Sequence, residues 1–142
     1  MIGIVIVTHC GLGNALIDAA EFILSNRPKN IESVSINMNY DANDLRNKIS
    51  EGINKVSQKK GVLIFTDMFG GTPSNLSYSF LEEGQIEVIS GVNLPILIKA
   101  LKTRDNMDLS ALSKDLESFG KMSISLASGI LKGNKRREKS MP

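Results

Sequence analysis

The chain has a single histidine, and its position suggests chemistry. His9 follows the β-branched run Ile2–Val7, and Gly11 and Gly13 come within four residues of it. A histidine nucleophile needs a neutral ring with one nitrogen free to attack and its other N–H held in place. A carboxylate within about 2.6–3.2 Å does the holding and stabilises the positive charge that develops on the ring. Asp67, which ends a second apolar run at Gly61–Thr66, is the candidate carboxylate. Two turns, Gly11–Asn14 and Gly70–Asn75, should each open a helix towards the same place. Free backbone N–H groups and the positive ends of helix dipoles favour a phosphoryl group there. Gly11, Gly13, Gly70, Gly71, Thr72 and Ser74 are therefore the candidate phosphoryl-binding residues.

Bland readings of the same residues stand beside these. His9 read alone is as well explained as a packed, hydrogen-bonded turn residue, and Asp67 alone as a helix N-cap. Cys10 at a helix start could be an activated thiolate, but no Arg follows in a short loop as a cysteine phosphatase requires, and a buried, inert thiol is the simpler reading. Gly11-Leu12-Gly13-Asn14-Ala15-Leu16 resembles the start of a dinucleotide fingerprint. However, Leu16 replaces its third small residue, and no acidic residue ends the second strand to hold a ribose. No P-loop motif is present, and one His with one Cys does not make an ordinary zinc site. The sequence thus calls for no cofactor and no metal.

The elements that must position these residues follow from periodicity. Ile2–Val7 and Gly61–Thr66 are too short for buried helices and too continuously apolar for half-exposed strands, so both read as central parallel strands. Leu16, Ala19, Ala20 and Ile23 give a helical stripe over about Gly13–Ser25. Ile31–Asn37 alternates, as an edge strand does. Asp41–Asp44 can cap a helix carrying Leu45, Ile49, Ile53 and Val56. Thr72 as cap with Pro73 in the first turn opens a short helix. Gln85–Ser90 is a fourth strand, and Pro95 opens a helix to about Thr103. Asp108 or Ser110 caps a last helix with Leu109, Leu112, Leu116 and Phe119 inward. Met122–Ala127 alternates as a fifth, half-exposed strand, with helix as the other reading of so short a run. A solvated tail follows from Gly129. Alternating strands and helices specify an α/β domain: a single doubly wound, mainly parallel sheet with helices on both faces. Ligands bind such sheets beyond the carboxyl ends of the strands, where Thr8–His9, Thr66–Asp67 and Ser90–Gly91 all fall. If strands one and three are neighbours, His9 meets Asp67.

Bulk properties narrow the function classes. The 142 residues, 42% apolar and 23% charged, fit one domain over about residues 1–130 with a basic tail over 131–142. Lys132, Lys135, Arg136, Arg137 and Lys139 against Glu138 account for the positive formal charge, and the body is slightly acidic. No nucleic-acid groove is expected, since phosphate affinity needs clustered cations on one ordered face. A single cysteine, an N-terminus without signal-peptide features and the lack of any long apolar run point to a soluble cytoplasmic protein.

Three segments in order, His9 after strand one, Asp67-Met68-Phe69-Gly70-Gly71-Thr72-Pro73-Ser74-Asn75 after strand three and Gly91-Val92-Asn93-Leu94-Pro95 after strand four, give the chain its resemblance. From about Met1 to Ala127 it resembles the EIIA component of the mannose family of the bacterial phosphoenolpyruvate:sugar phosphotransferase system (PTS). The phosphotransfer subunit of dihydroxyacetone kinase has a similar fold, but DMFGGTPSN reads as the sugar-system version. Phe69 stands where that family commonly has tryptophan. The resemblance implies a phosphotransferase component in which His9 accepts a phosphoryl group from the carrier HPr, as a tele-phosphohistidine, and passes it to EIIB. Asp67 would orient the ring. It also implies a homodimer exchanging a C-terminal antiparallel strand, here about Lys121–Ala127, and contact with the membrane only indirectly, through an EIIC/EIID permease. As KGNKRREKSMP resembles neither a linker nor an EIIB domain, the acceptor is expected on a separate chain. A regulatory phospho-switch and, from another class, a nucleotide-binding domain built on the Gly11 turn remain alternatives.

Overall fold

The computed structural model describes residues 1–140, with side chains described as far as Gly133. Four strands, β1 (Gly3–His9), β2 (Ile31–Ile36), β3 (Val62–Thr66) and β4 (Ile86–Ser90), alternate with helices α1 (Leu12–Leu24), α2 (Ala42–Val56), α3 (Thr72–Tyr78) and α4 (Leu94–Thr103). Helices α5 (Leu109–Met122) and α6 (Ala127–Ser140) follow. The sheet order is β2-β1-β3-β4, and every ladder is parallel. The two runs expected to be central are central, and the alternating Ile31–Ile36 lies at an edge.

Helices cover both faces, so β1 and β3 need apolar residues at every position. Ile4, Ile6, Leu63 and Phe65 pack with α1, α4 and α5, whereas Val5, Val7, Val62 and Ile64 pack with α2 and α3. Polar residues appear only where these strands end, at the fully buried Thr8 and Thr66 and at the exposed His9. In the register of β1 on β3, Val7 pairs with Thr66. The residues that follow each strand therefore emerge side by side at one end of the sheet.

Capping follows side-chain chemistry closely. Asp41, Asn93 and Asp108 each accept the N–H three residues on, at 2.8–2.9 Å. In α3 the cap is Gly71 rather than Thr72, which is the first helical residue, and Pro73 sits where a missing N–H has no helical acceptor to lose.

The C-terminal region departs from expectation. Lys121 and Met122 complete α5, residues 123–126 form no ladder with the four strands, and α6 starts at Ala127. Ser123 ends α5 by donating both its N–H and its hydroxyl to the Gly120 carbonyl. An alternating segment becomes a strand only where it pairs with an edge, and within the single chain residues 123–126 pair with neither outer edge of the sheet, that of β2 or that of β4. Exchange with a second subunit concerns a contact outside the single chain and is taken up below. The region expected as tail begins inside α6, which is broken by non-helical Gly133 (φ −111°, ψ 19°); Lys and Arg propagate helix well. Met141 and Pro142, the end of that tail, lie outside the described residues.

Opposite the site, Arg104 closes the sheet. It is 4% exposed, and its guanidinium donates to the carbonyls of Ile2, Lys29 and Asn30. Burial pushes its pKa below the usual arginine value, but a guanidinium keeps its charge at neutral pH. Arg104→Met should remove the guanidinium from the carbonyls of Ile2, Lys29 and Asn30, of which Asn30 keeps the Ile4 N–H, and lower the unfolding free energy by about 2–3 kcal/mol. Urea denaturation checks this, and a loss under about 0.5 kcal/mol would mean that the carbonyls find other partners.

Candidate functional site

His9 is the last residue of β1, and Asp67 directly follows β3. The two neighbouring strands bring them together: His9 Nδ1 lies 2.8 Å from Asp67 Oδ2, and the His9 backbone N–H donates to the same oxygen at 2.8 Å. Asp67 Oδ1 is buried with no hydrogen-bond partner among the described residues, so Oδ2 carries the interaction. The His9 side chain is 47% exposed and that of Asp67 10%. A neutral ring with its proton on Nδ1 satisfies this contact, which leaves Nε2 as the unprotonated, nucleophilic nitrogen.

The turn after His9 has a feature that sequence reasoning missed. Cys10 takes a left-handed conformation (φ 52°), which costs about 1–2 kcal/mol for a residue with a Cβ. Its N–H donates to the Ile36 carbonyl at 2.9 Å. β1 is thus held against β2 up to the point where the chain turns sharply into α1. Cys10 itself is exposed rather than buried as expected, because it makes the turn beyond the buried part of β1.

The candidate phosphoryl-binding residues separate into two groups. Gly71 stands against the ring, since a Cβ there would lie 3.2 Å from His9 Cε1. Gly70 (φ +83°) makes the positive-φ turn that brings it there. Thr72 follows as the first residue of α3, and Gly11 is exposed at the start of α1. Gly13 and Ser74, by contrast, face inward. Gly13 is buried, its N–H donates to Thr8 Oγ1 at 3.0 Å, and a Cβ would come within 2.5 Å of Ser33 Oγ. The glycine serves close helix-to-strand packing. Ser74 is fully buried, and its hydroxyl is taken up by Thr66, Ser90 and the Met68 carbonyl. Neither group is free to meet a phosphoryl oxygen.

Thr8 and Thr66 were the available signal for this inner layer: each is a hydroxyl residue closing an otherwise apolar run. The third sequence segment also proves to be a support. Gly91 and Val92 donate their N–H groups to the Thr66 carbonyl, at 3.0 and 2.9 Å. Asn93 caps α4 and donates through its side-chain amide to Ser123 Oγ at the end of α5.

Comparison with known proteins agrees with this architecture. The family model described as PTS system fructose IIA component matches residues 3–117. The PTS system fructose-specific EIIA component of Bacillus subtilis (strain 168) is 30% identical over 129 residues, covering 90% of this chain and 88% of the relative. The mannose-specific EIIAB component of Escherichia coli (strain K12) is 34% identical over 106 residues, 74% of this chain but 32% of the relative. The chain thus spans about a third of that relative's length. Among solved structures, phosphotransferase system component EIIA from Streptococcus agalactiae aligns with a TM-score of 0.81 at 25% identity, covering 90% of this chain and 98% of that one. A mannose/sorbose specific IIA subunit from Enterococcus faecalis, at 17% identity, shares the fold with a TM-score of 0.78 over 88% and 93% of the two chains. The matched segment takes in all four strands and both sides of the His9–Asp67 pair, and the chain belongs to the mannose/fructose family of phosphotransferase-system IIA components.

Proposed function

We propose that this chain is a phosphocarrier in which His9 Nε2 accepts a phosphoryl group from phospho-HPr and an EIIB component then removes it, in the cytoplasm, during sugar uptake. The observation that carries the reading is the contact of His9 Nδ1 with Asp67 Oδ2, which leaves Nε2 unused by that contact on a side chain that is about half exposed. In the first step the Nε2 lone pair attacks phosphorus, and the P–N bond to the donor's ring breaks with its electron pair returning to that ring. His9 keeps its Nδ1 proton and becomes cationic, while the donor ring becomes neutral. Asp67 gains interaction energy as the positive charge forms, which is stabilisation realised as the reaction proceeds. The second step is the same exchange onto the acceptor. Because a phosphohistidine is made and a phosphohistidine is consumed, alignment and electrostatics do most of the work. Gly71, with no side chain beside Cε1, lets the partner's ring approach.

The homodimer with exchange of Lys121–Ala127 belongs to the same proposal. The outer edge of β4 carries no further strand among the described residues. Beside it lies a groove of about 610 Å³ bordered by Val88, Leu116 and Ile124. Ile124 and Leu126, two residues apart, are 84% and 76% exposed, an alternation suited to pairing along such an edge.

His9→Gln should abolish labelling by radioactive phosphoenolpyruvate in the presence of Enzyme I and HPr; label persisting on the variant would move the acceptor elsewhere. Asp67→Asn should remain folded and slow transfer roughly ten- to a hundredfold in rapid-quench kinetics, and an unchanged rate would remove the aspartate from the mechanism. For the dimer, the double substitution Ile124→Asp and Leu126→Asp should convert a dimeric species to monomer by light scattering. A wild-type chain that is already monomeric at micromolar concentration would refute the exchange.

A further inference from the structure

Beneath the turn that carries Asp67 lies a cluster of four hydroxyls: Thr66 at the end of β3, Ser90 at the end of β4, and Ser74 and Tyr78 on α3. Ser90 Oγ receives the Thr66 hydroxyl at 2.9 Å and lies 2.7 Å from Tyr78 Oη and 3.0 Å from Ser74 Oγ. Thr66 Oγ1 and Ser74 Oγ are 2.5 Å apart. Ser74 donates to the Met68 carbonyl. One arrangement places a proton in every contact: Ser74 donates to the Met68 carbonyl, Ser90 donates to Ser74, Tyr78 donates to Ser90, and the Thr66 proton is shared between Ser74 and Ser90. Every donation in the cluster therefore leads to one acceptor, the carbonyl of the residue after Asp67. Bonds in such a chain polarise and strengthen one another.

We propose that this hydroxyl chain is a positioning device for the site, and that Ser74, through the Met68 carbonyl, fixes where Asp67 and Gly70–Gly71 stand relative to the His9 ring. The inference deepens the phosphocarrier reading and rests on it for its function, though not for its geometry. Two considerations favour a dedicated device over incidental packing. Burying hydroxyls costs free energy unless all are satisfied, and the rest of the β3 contact with α2 and α3 is made by apolar Val62 and Ile64. A helix that needed only to adhere would use the same residue types at positions 66, 74 and 90. The turn also has little packing of its own, because Met68 and Phe69 are 54% and 79% exposed. Its register must come from polar anchors at its two sides. One is the Asp67–His9 pair, and the other is the Ser74–Met68 bond.

Ser77 supplies an internal control. It is equally buried on the same helix, but its hydroxyl donates at 2.6 Å to the Pro73 carbonyl within α3 and has no link to Met68. Three variants of the full chain, Ser74→Ala, Ser77→Ala and Tyr78→Phe, are compared in two measurements. Nitrogen-15 NMR of the histidine ring reports the Nδ1 proton held by Asp67, and saturation kinetics with phospho-HPr give the transfer rate and half-saturation concentration. Ser74→Ala should weaken the Nδ1–H signal and lower the maximal rate about tenfold with half-saturation unchanged. Tyr78→Phe should do the same to a smaller degree. Ser77→Ala should alter neither quantity, even where it lowers the melting temperature as much as Ser74→Ala does. A wild-type ring signal and rate in Ser74→Ala, or an equal loss in Ser77→Ala, would overturn the proposal. The ring signal needs no phosphoryl donor, so the two ideas fail separately. A Ser74→Ala change in that signal, without labelling of the wild type at His9, keeps the positioning and removes the phosphocarrier. Labelling at His9 with no change in Ser74→Ala does the reverse.

Discussion

Asp67 Oδ2 accepts both the backbone N–H and the ring nitrogen Nδ1 of His9, so one oxygen ties the ring to the backbone of its own strand. A carboxylate that touched only the ring could follow it as it turned. Held also by the amide, the carboxylate restricts the ring's orientation at hydrogen-bond distance, and the contact is made through Nδ1, not Nε2. This arrangement requires the ends of β1 and β3 to be level and adjacent. The β2-β1-β3-β4 order and the pairing of Val7 with Thr66 supply that. It also requires the chain to leave β1 abruptly after His9. The strained φ of Cys10 does so, compensated by the Cys10 bond to Ile36 and by Thr8 accepting from Gly13.

Those requirements explain why much of the molecule was readable. A strand buried on both faces must be apolar at each position, so β1 and β3 announced themselves as central, and the alternation of Val34 and Ile36 with serines announced an edge. Once the two apolar runs are adjacent, the residues just beyond them must meet, and His9 and Asp67 follow. Legibility ended where the relevant interaction leaves no periodic trace. A glycine in a tight turn reads the same whether it stands against the His9 ring, as Gly71 does, or packs a helix against a strand, as Gly13 does. A serine in the first turn of a helix shows nothing of its partners in sequence, which is why Ser74 counted among the phosphoryl-binding candidates although its hydroxyl is taken up beneath the turn. The segment after α5 differs for another reason: its alternation is genuine, but residues 123–126 join no edge of the sheet within the single chain, and exchange with a second subunit concerns a contact outside it.

The exposure of the ring bears on what kind of reaction this geometry can serve. An enzyme acting on a small molecule gains much of its rate by enclosing the substrate, because fixed dipoles act more strongly where water is excluded. On the proposed phosphocarrier reading, His9, with its side chain half exposed, forgoes that gain, and the 610 Å³ groove near the site is bordered by Phe69 and Tyr78 rather than by His9. A carrier that must present the same nitrogen first to one protein and then to another cannot enclose it, since any wall that shields one exchange obstructs the other. Water exclusion must then come from the partner's own surface. The exposed apolar side chains of Leu12, Met68 and Phe69, on the two turns flanking the ring, are of the type that expels water when another protein closes over them. Rigidity in the free protein becomes the main lever left to the chain itself. The double use of Asp67 Oδ2 above the turn and the hydroxyls packed beneath it are both ways of supplying that rigidity.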